Sequence, residues 1–233
     1  NLDVAAKRIC WGKFLNAGQT CIAPDYLLID AKIKEEFQEK LISTLKDFYT
    51  EGTYEDYARL IHHTHFEKLI GLLKDQTIIH GGESDSETNF LSPTLVESPN
   101  LDSPIMEEEI FGPILPLYSF STFDELENII TSFEKPLSLY VFSNRGDFIT
   151  QVNETFDFGG GVINDTVVHF VNDKLPFGGV GASGLGNYHG RASFDTFTRK
   201  KSIVHRKTWL DIPIKYPPYK RVNSFKSFLG LFR

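Results

Sequence analysis

Cysteine is nearly absent from this sequence, with Cys10 and Cys21 the only two among 233 residues. Two thiols in neither CxxC nor zinc-ribbon spacing cannot build a disulfide framework, which suits a reducing, cytosolic compartment. Long apolar runs are missing as well. None approaches the roughly 20 residues that span a bilayer, and no charged segment followed by an apolar one marks a signal peptide. Nor is there an initiator Met, so Asn1 reads as an internal start. Basic charge is in deficit, with 24 Lys and Arg against 31 Asp and Glu and a net charge of -7 spread along the chain. Without a broad basic field, nucleic acid is not expected as a partner. What remains, 41% hydrophobic and 24% charged residues, is the profile of a globular protein with one large domain or two small ones.

Helical and strand patterns alternate along the chain. "NLDVAAKRICWGKFLNAG" spaces Val4, Ile9, Trp11, Phe14 and Leu15 for a helix, with Asp3 as N-cap and Gly18 as its stop. "DYLLID" (25–30) is a short apolar run of the buried-strand type, and "KIKEEFQEKLISTLKDFY" follows it as an amphipathic helix. A further helix starts near His63, and another in "STFDELENIITSF", where Thr122 and Glu125 suit a capping box. "ILPLYSF" (114–120), "LSLYVFS" (137–143) and "GGVIND" (160–165) complete the strand candidates. The pattern predicts an α/β fold with a largely parallel or mixed sheet flanked by helices. Residues 1–195 read as one domain without repeat or linker.

Beyond that point the texture changes. "RKKSIVHRKTW" (199–209) suits an exposed strand with basic flanks, and the prolines of "IPIKYPPYKR" suit an extended path over a surface. At the end, Phe225, Phe228, Leu229 and Phe232 fall at helical spacing beside Lys226 and Arg233. This apolar face fits docking on protein, with peripheral membrane contact as the alternative.

Several residues invite a chemical reading. "HHTH" (62–65) lacks the further ligands a zinc site needs, so a solvated helix start accounts for it better. "GVGASG" (179–184) matches G-x-G-x-x-G, but "DKLPF" precedes it where a dinucleotide fingerprint needs a buried strand. A structural or pocket loop is expected there. Cys21 in "FLNAGQTCIAPD" would need thiolate character and substrate access to act as a nucleophile. Gly18 would let backbone approach a ligand closely, and the Cys21 N–H could donate to an oxyanion. Free cysteines are nevertheless common packing residues, and the residues alone favour that role.

"FLNAGQTCIAPD" resembles the cysteine signature of the aldehyde dehydrogenase superfamily, "EEIFGPILP" (108–116) its second hallmark, and "LPFGGVGASGLGNYHG" (175–190) a third, all in the family's order. "GQTCIAPDYLLID", "GGVIND" followed by "VVHF", and the late "KYPP" are similar to the class 3 branch, whose members oxidise fatty aldehydes. The likeness runs from Asn1 to about Pro218. It implies oxidation of aldehydes, medium- or long-chain aliphatic or aromatic, to carboxylic acids with NAD or NADP. Cys21 would attack the aldehyde to give a thiohemiacetal and then a thioester. Glu109 would bind the nicotinamide ribose hydroxyls and Phe111 would pack beside the nicotinamide, while Phe177 and His169 would line the aldehyde tunnel. Gly178, Gly179 and Gly181 would shape its floor.

The resemblance also implies a domain order: a catalytic thiol domain (1–195), an oligomerisation strand (196–208) and an extended tail (209–233). The family's general-base glutamate, in an E-L-G-G-type motif, and its oxyanion asparagine lie upstream of the cysteine, and neither motif occurs here. Most of the nucleotide-binding domain is upstream too. The chain is therefore expected to be a carboxyl-terminal portion, inactive by itself, from a homodimeric cytoplasmic enzyme, its amphipathic end suited to the cytosolic face of the endoplasmic reticulum. A non-catalytic relative that pairs with a full-length subunit through "KKSIVH" is the alternative, and an acyl-phosphate reductase of the same fold a weaker third.

Overall fold

The apolar spacing at the amino end does form a helix, α1 (Leu2–Phe14). Its N-cap is Asn1 rather than Asp3: the Asn1 side chain accepts from Val4 N at 3.2 Å, and Asp3 falls in the first turn, where its charge complements the helix dipole. The computed structural model describes residues 1–49, 54–211 and 216–217. After α1 come β1 (Leu27–Asp30), α2 (Lys34–Phe48), α3 (His63–Leu72), β2 (Ile78–His80), β3 (Ser84–Asp85), β4 (Phe90–Leu91), β5 (Thr94–Glu97) and α4 (Pro104–Glu107). Then come β6 (Ile114–Phe120), α5 (Phe123–Thr131), β7 (Ser138–Val141), α6 (Gly146–Thr155), β8 (Gly160–Ile163) and α7 (Gly190–Phe197).

Among the described residues the strands make three sheets, where one was expected. The largest has the order β1-β6-β5-β2, with β6 parallel to both its neighbours and β2 antiparallel to β5. β3 and β4 form an antiparallel pair, and β7 and β8 a separate parallel pair. The mixed character holds. β6 spans the predicted residues because its first five, Ile114 to Tyr118, form a buried run covered on both faces. Leu115 and Leu117 pack with Ala6, Ile9 and Phe14 of α1 and Phe37 and Leu41 of α2. Ile114 and Tyr118 point the other way, toward Leu69 of α3 and Ile105 of α4. Pro116 is tolerated because β1 begins to pair only at Leu117, so β6 has a neighbour on one side alone at that position.

β1 starts two residues later than its apolar run suggests, because the Asp25 carboxylate is engaged with the Ile110 N–H. At α5, Thr122 accepts from Glu125 N at 3.2 Å as expected, whereas Glu125 returns to the N–H of Ser121 instead of Thr122. The capping box is thus shifted by one residue on its return side.

The chain divides into one unit from Asn1 to Phe197 and another from Thr198 onward. Residue 195 falls inside α7, which runs to the end of the first unit at Phe197. In the second unit, residues 199–207 are exposed and carry no strand. Among the described residues of this unit the expected strand has no ladder partner, and a strand exists only through its pairing. Phe225, Phe228, Leu229 and Phe232, and most of the proline-rich stretch, lie outside the described residues. No helix among the described residues is long and apolar enough to cross a membrane.

Candidate active site

The site is built where α1 ends. After Phe14 the backbone enters the left-handed region for three successive residues, Asn16 (φ 55°), Ala17 (φ 52°) and Gly18 (φ 73°). Only glycine takes such a conformation without strain. Gly18 has a second reason to lack a side chain, since a Cβ there would strike the Gly112 carbonyl. The close approach at Gly18 is to the backbone of the second motif. The Asn16 and Gln19 side chains brace the reversal, Asn16 Nδ2 donating to Gln19 O and Gln19 Nε2 to Asn16 O. Gln19 Oε1 also accepts from Ile61 N at 3.1 Å, which ties the loop to the segment before α3.

The chain then makes a tight turn closed by Ala23 N donating to Thr20 O at 2.9 Å, with Cys21 and Ile22 at its apex. Ile22 turns inward against Val167 and Phe177, and Cys21 turns outward. The Tyr140 hydroxyl donates to the Ile22 carbonyl at 2.7 Å, holding the turn to β7. Burial pushes the Tyr140 phenol up to about 12, so it stays a donor.

Cys21 lines a cleft of about 1260 Å³ that also takes in Glu109, Tyr140, Asn164 and Ser183. Two of the predicted residues, Cys21 and Glu109, thus share one cleft. Phe111 is outside its lining: the residue has φ 50°, is partly exposed, and its carbonyl accepts from His65 Nε2 at 2.9 Å. Phe177 and His169 also lie outside that lining, in an aromatic cluster on the inner side of the turn. The His169 ring centroid is 5.7 Å from that of Phe177 and 5.9 Å from that of Tyr140, and His169 Nε2 is 3.2 Å from Ser138 Oγ. Burial lowers the His169 pKa, which favours the neutral ring.

The other motifs settle into packing. His63 Nδ1 meets Asn89 Oδ1 at 3.0 Å and His63 Nε2 meets Glu67 at 3.5 Å, so with His65 on Phe111 the "HHTH" run closes the start of α3. In "GVGASG", Gly179 passes hard against the Ser183 carbonyl, and the loop presents Ala182 and Ser183 to the cleft.

Two participants escaped the sequence reading. Lys13, on the buried face of α1, has a fully buried side chain whose Nζ has no hydrogen-bond partner; Asp25 Oδ1 is 3.9 Å away. Burial pulls the ammonium down to about 8, against the opposing pull of Asp25 and Glu109. Asp25 and Glu109 are both raised, each first by desolvation, and Glu109 next by the Asp25 charge. A lysine among Ile9, Cys10 and Phe14 was the signal available.

An aldehyde dehydrogenase family model matches residues 1–203. The chain belongs to the aldehyde dehydrogenase family. It is 46% identical, over its whole length, to 51% of the 4,4'-diaponeurosporen-aldehyde dehydrogenase of Staphylococcus aureus. It is 47% identical to mouse aldehyde dehydrogenase family 3 member A2, with 98% of this chain and 49% of that protein covered. Bovine dimeric NADP-preferring aldehyde dehydrogenase is 45% identical across 88% of this chain and 87% of its own sequence. In three dimensions, the substrate-bound Staphylococcus aureus AldH superposes on all of the chain with a TM-score of 0.90 at 45% identity, covering 51% of that structure. The chain thus spans about half the length of the first two relatives and of that structure. Within this family member two motifs come into direct contact: the cysteine loop rests on Gly112 of the "EEIFGP" segment through Gly18.

Proposed function

We propose that this chain is the thiol-bearing, carboxyl-terminal portion of a class 3-type enzyme that oxidises medium- or long-chain aliphatic or aromatic aldehydes to carboxylic acids with NAD or NADP. The observation that carries the proposal is Cys21 at the exposed apex of a braced turn, opening into the cleft that Glu109 also lines. The residues present fit the nicotinamide-ribose end of the coenzyme: a carboxylate suited to accept from vicinal hydroxyls, sharing a cleft with a free thiol. When bound, the coenzyme supplies the hydride acceptor.

Cys21 Sγ attacks the aldehyde carbon as thiolate, the C–S bond forming as the carbonyl π pair moves onto oxygen. The Cys21 N–H, which the closing bond of the turn leaves unused, donates to that oxygen. Loss of hydride from carbon restores the carbonyl as a thioester on Cys21. Water then adds to the thioester, and the C–S bond breaks to release the acid and free the thiol. The base for that water is assigned to sequence outside this chain, where the family carries its glutamate. Phe177 and His169 are proposed to shape the aldehyde's path from behind the turn, and Phe111 to support the nicotinamide end. A homodimer is part of the reading, supported by the relatives named as dimeric.

The test is NAD(P)H formation with a long-chain aldehyde, using the complete polypeptide that carries this chain and its Cys21→Ala variant. Turnover that disappears with the thiol supports the reading. A folded wild type without turnover favours the non-catalytic relative, and sustained turnover by residues 1–233 alone overturns the assignment of the base elsewhere.

A further inference from the structure

The fully buried ammonium of Lys13 has no part in the chemistry of the thiol. It reaches no solvent and no hydrogen-bond acceptor, and burying a charge in that condition is among the costliest arrangements a fold can hold. An apolar residue would pack α1 as well. The groups around the ammonium give a reason for it. Asp25, 3.9 Å from Nζ, accepts from the Ile110 N–H through both carboxylate oxygens, at 3.2 and 3.4 Å. Ile110 is the residue directly after Glu109 and is itself buried in the core between sheet and α3. Asp25 therefore grips the peptide that carries Glu109 from a partly exposed position on the cleft, and the buried Lys13 is the counter-charge behind that carboxylate.

We propose that Lys13 is a positioning residue for coenzyme: by keeping Asp25 ionised on the Ile110 N–H, it fixes the Glu109 carboxylate where the ribose hydroxyls are read. The inference rests on the proposed aldehyde oxidation and deepens it, because it assigns pH-dependent control of coenzyme affinity to a residue outside the cleft lining.

The charges determine the sign of that control. Asp25, from the loop before β1, and Glu109, from the loop after α4, are the charged groups that act on Lys13; Tyr26, beside Asp25, is pushed up to about 12 and stays neutral. Below about pH 8 Lys13 carries its proton and balances the two carboxylates. Above it the balance is lost. Asp25 and Glu109 then repel each other with no cation between them, and the hold on Glu109 loosens.

The experiment is isothermal titration of NAD and NADP, without aldehyde, into the complete polypeptide between pH 6.5 and 9.5, for wild type, Lys13→Met and Asp25→Asn. Wild-type affinity is expected to fall as pH rises through about 8. In Lys13→Met it should be roughly tenfold weaker at pH 7, the scale of one charge-assisted hydrogen bond, and flat with pH. Asp25→Asn should give a similar loss that does not add to that of Lys13→Met in the double variant. Melting temperature without coenzyme should fall in Lys13→Met, which leaves Asp25 without its counter-charge, and should fall less in the Lys13→Met/Asp25→Asn double variant. Unchanged affinity in a folded Lys13→Met, or additive losses, would overturn the proposal. Should the variants fail to fold, the wild-type profile decides, and a flat one sinks it. A wild type that binds neither NAD nor NADP overturns the parent reading and takes this one with it, whereas binding with a flat profile defeats this inference alone.

Discussion

The two cysteines occupy environments that could hardly differ more for residues so close in sequence. Cys10 sits inside α1, completely buried among Ala6, Ile9 and Leu41, its Sγ 3.9 Å from the Leu41 carbonyl, and burial pushes its thiol up to about 12. Cys21, one turn and a backbone reversal later, is exposed at an apex over the cleft. Nothing in the side chain distinguishes them. The backbone does: Leu15 leaves the helical conformation, so α1 ends at Phe14 and not at the expected Gly18, and the left-handed run at residues 16–18 then turns the chain outward, so that exposure here is a property of backbone path.

The most demanding test of this contrast removes each thiol in turn. Cys21→Ala in the complete polypeptide should lower aldehyde-dependent NAD(P)H formation by at least about 10³-fold, while Cys10→Ala should leave kcat within about twofold. Comparable losses at both positions would remove the distinction. Alkylation gives the next largest effect. Iodoacetamide at neutral pH should label Cys21 in the folded protein and Cys10 only after denaturation, as peptide mass mapping can read directly.

The backbone itself is the third target. Gly18→Ala places a Cβ against the Gly112 carbonyl at a φ that alanine tolerates poorly, and should cost about 2 kcal/mol or more in urea unfolding. It should also slow alkylation of Cys21 as the apex shifts. A fully stable Gly18→Ala would show that the reversal is not what separates the two thiols. The smallest effect concerns pH. Because the folded pKa of Cys10 lies above that of the unfolded thiol, its stabilisation is complete below about pH 9 and is lost as pH rises toward 12. Wild type should therefore lose stability faster than Cys10→Ala between pH 9 and 11, measured by urea denaturation at matched pH.

Much of this molecule could be read in one dimension. β6 was legible because five consecutive residues, Ile114 to Tyr118, are buried and the run covers both faces of the strand. The Thr122 cap was legible because capping is a local hydrogen bond. Cys21 and Glu109 were singled out through the resemblance, and the fold sets both on the lining of one cleft. The division into three sheets was not, since β2 to β5 are strands of two to four residues with no period to detect. Lys13 and Asp25 were missed for a different reason. Their meaning lies in a through-space contact to a segment some 85 residues along the chain, whose sequence separation no local pattern encodes.

The contact of Gly18 with Gly112 has one more consequence. Most tight contacts in a protein interior can yield by rotating a side chain, but here main chain meets main chain and there is no rotamer to give way. The distance between the Cys21 loop and the segment bearing Glu109 is therefore ruled by peptide units alone, and the two segments keep their spacing as a jointed frame does, independent of what hangs from it.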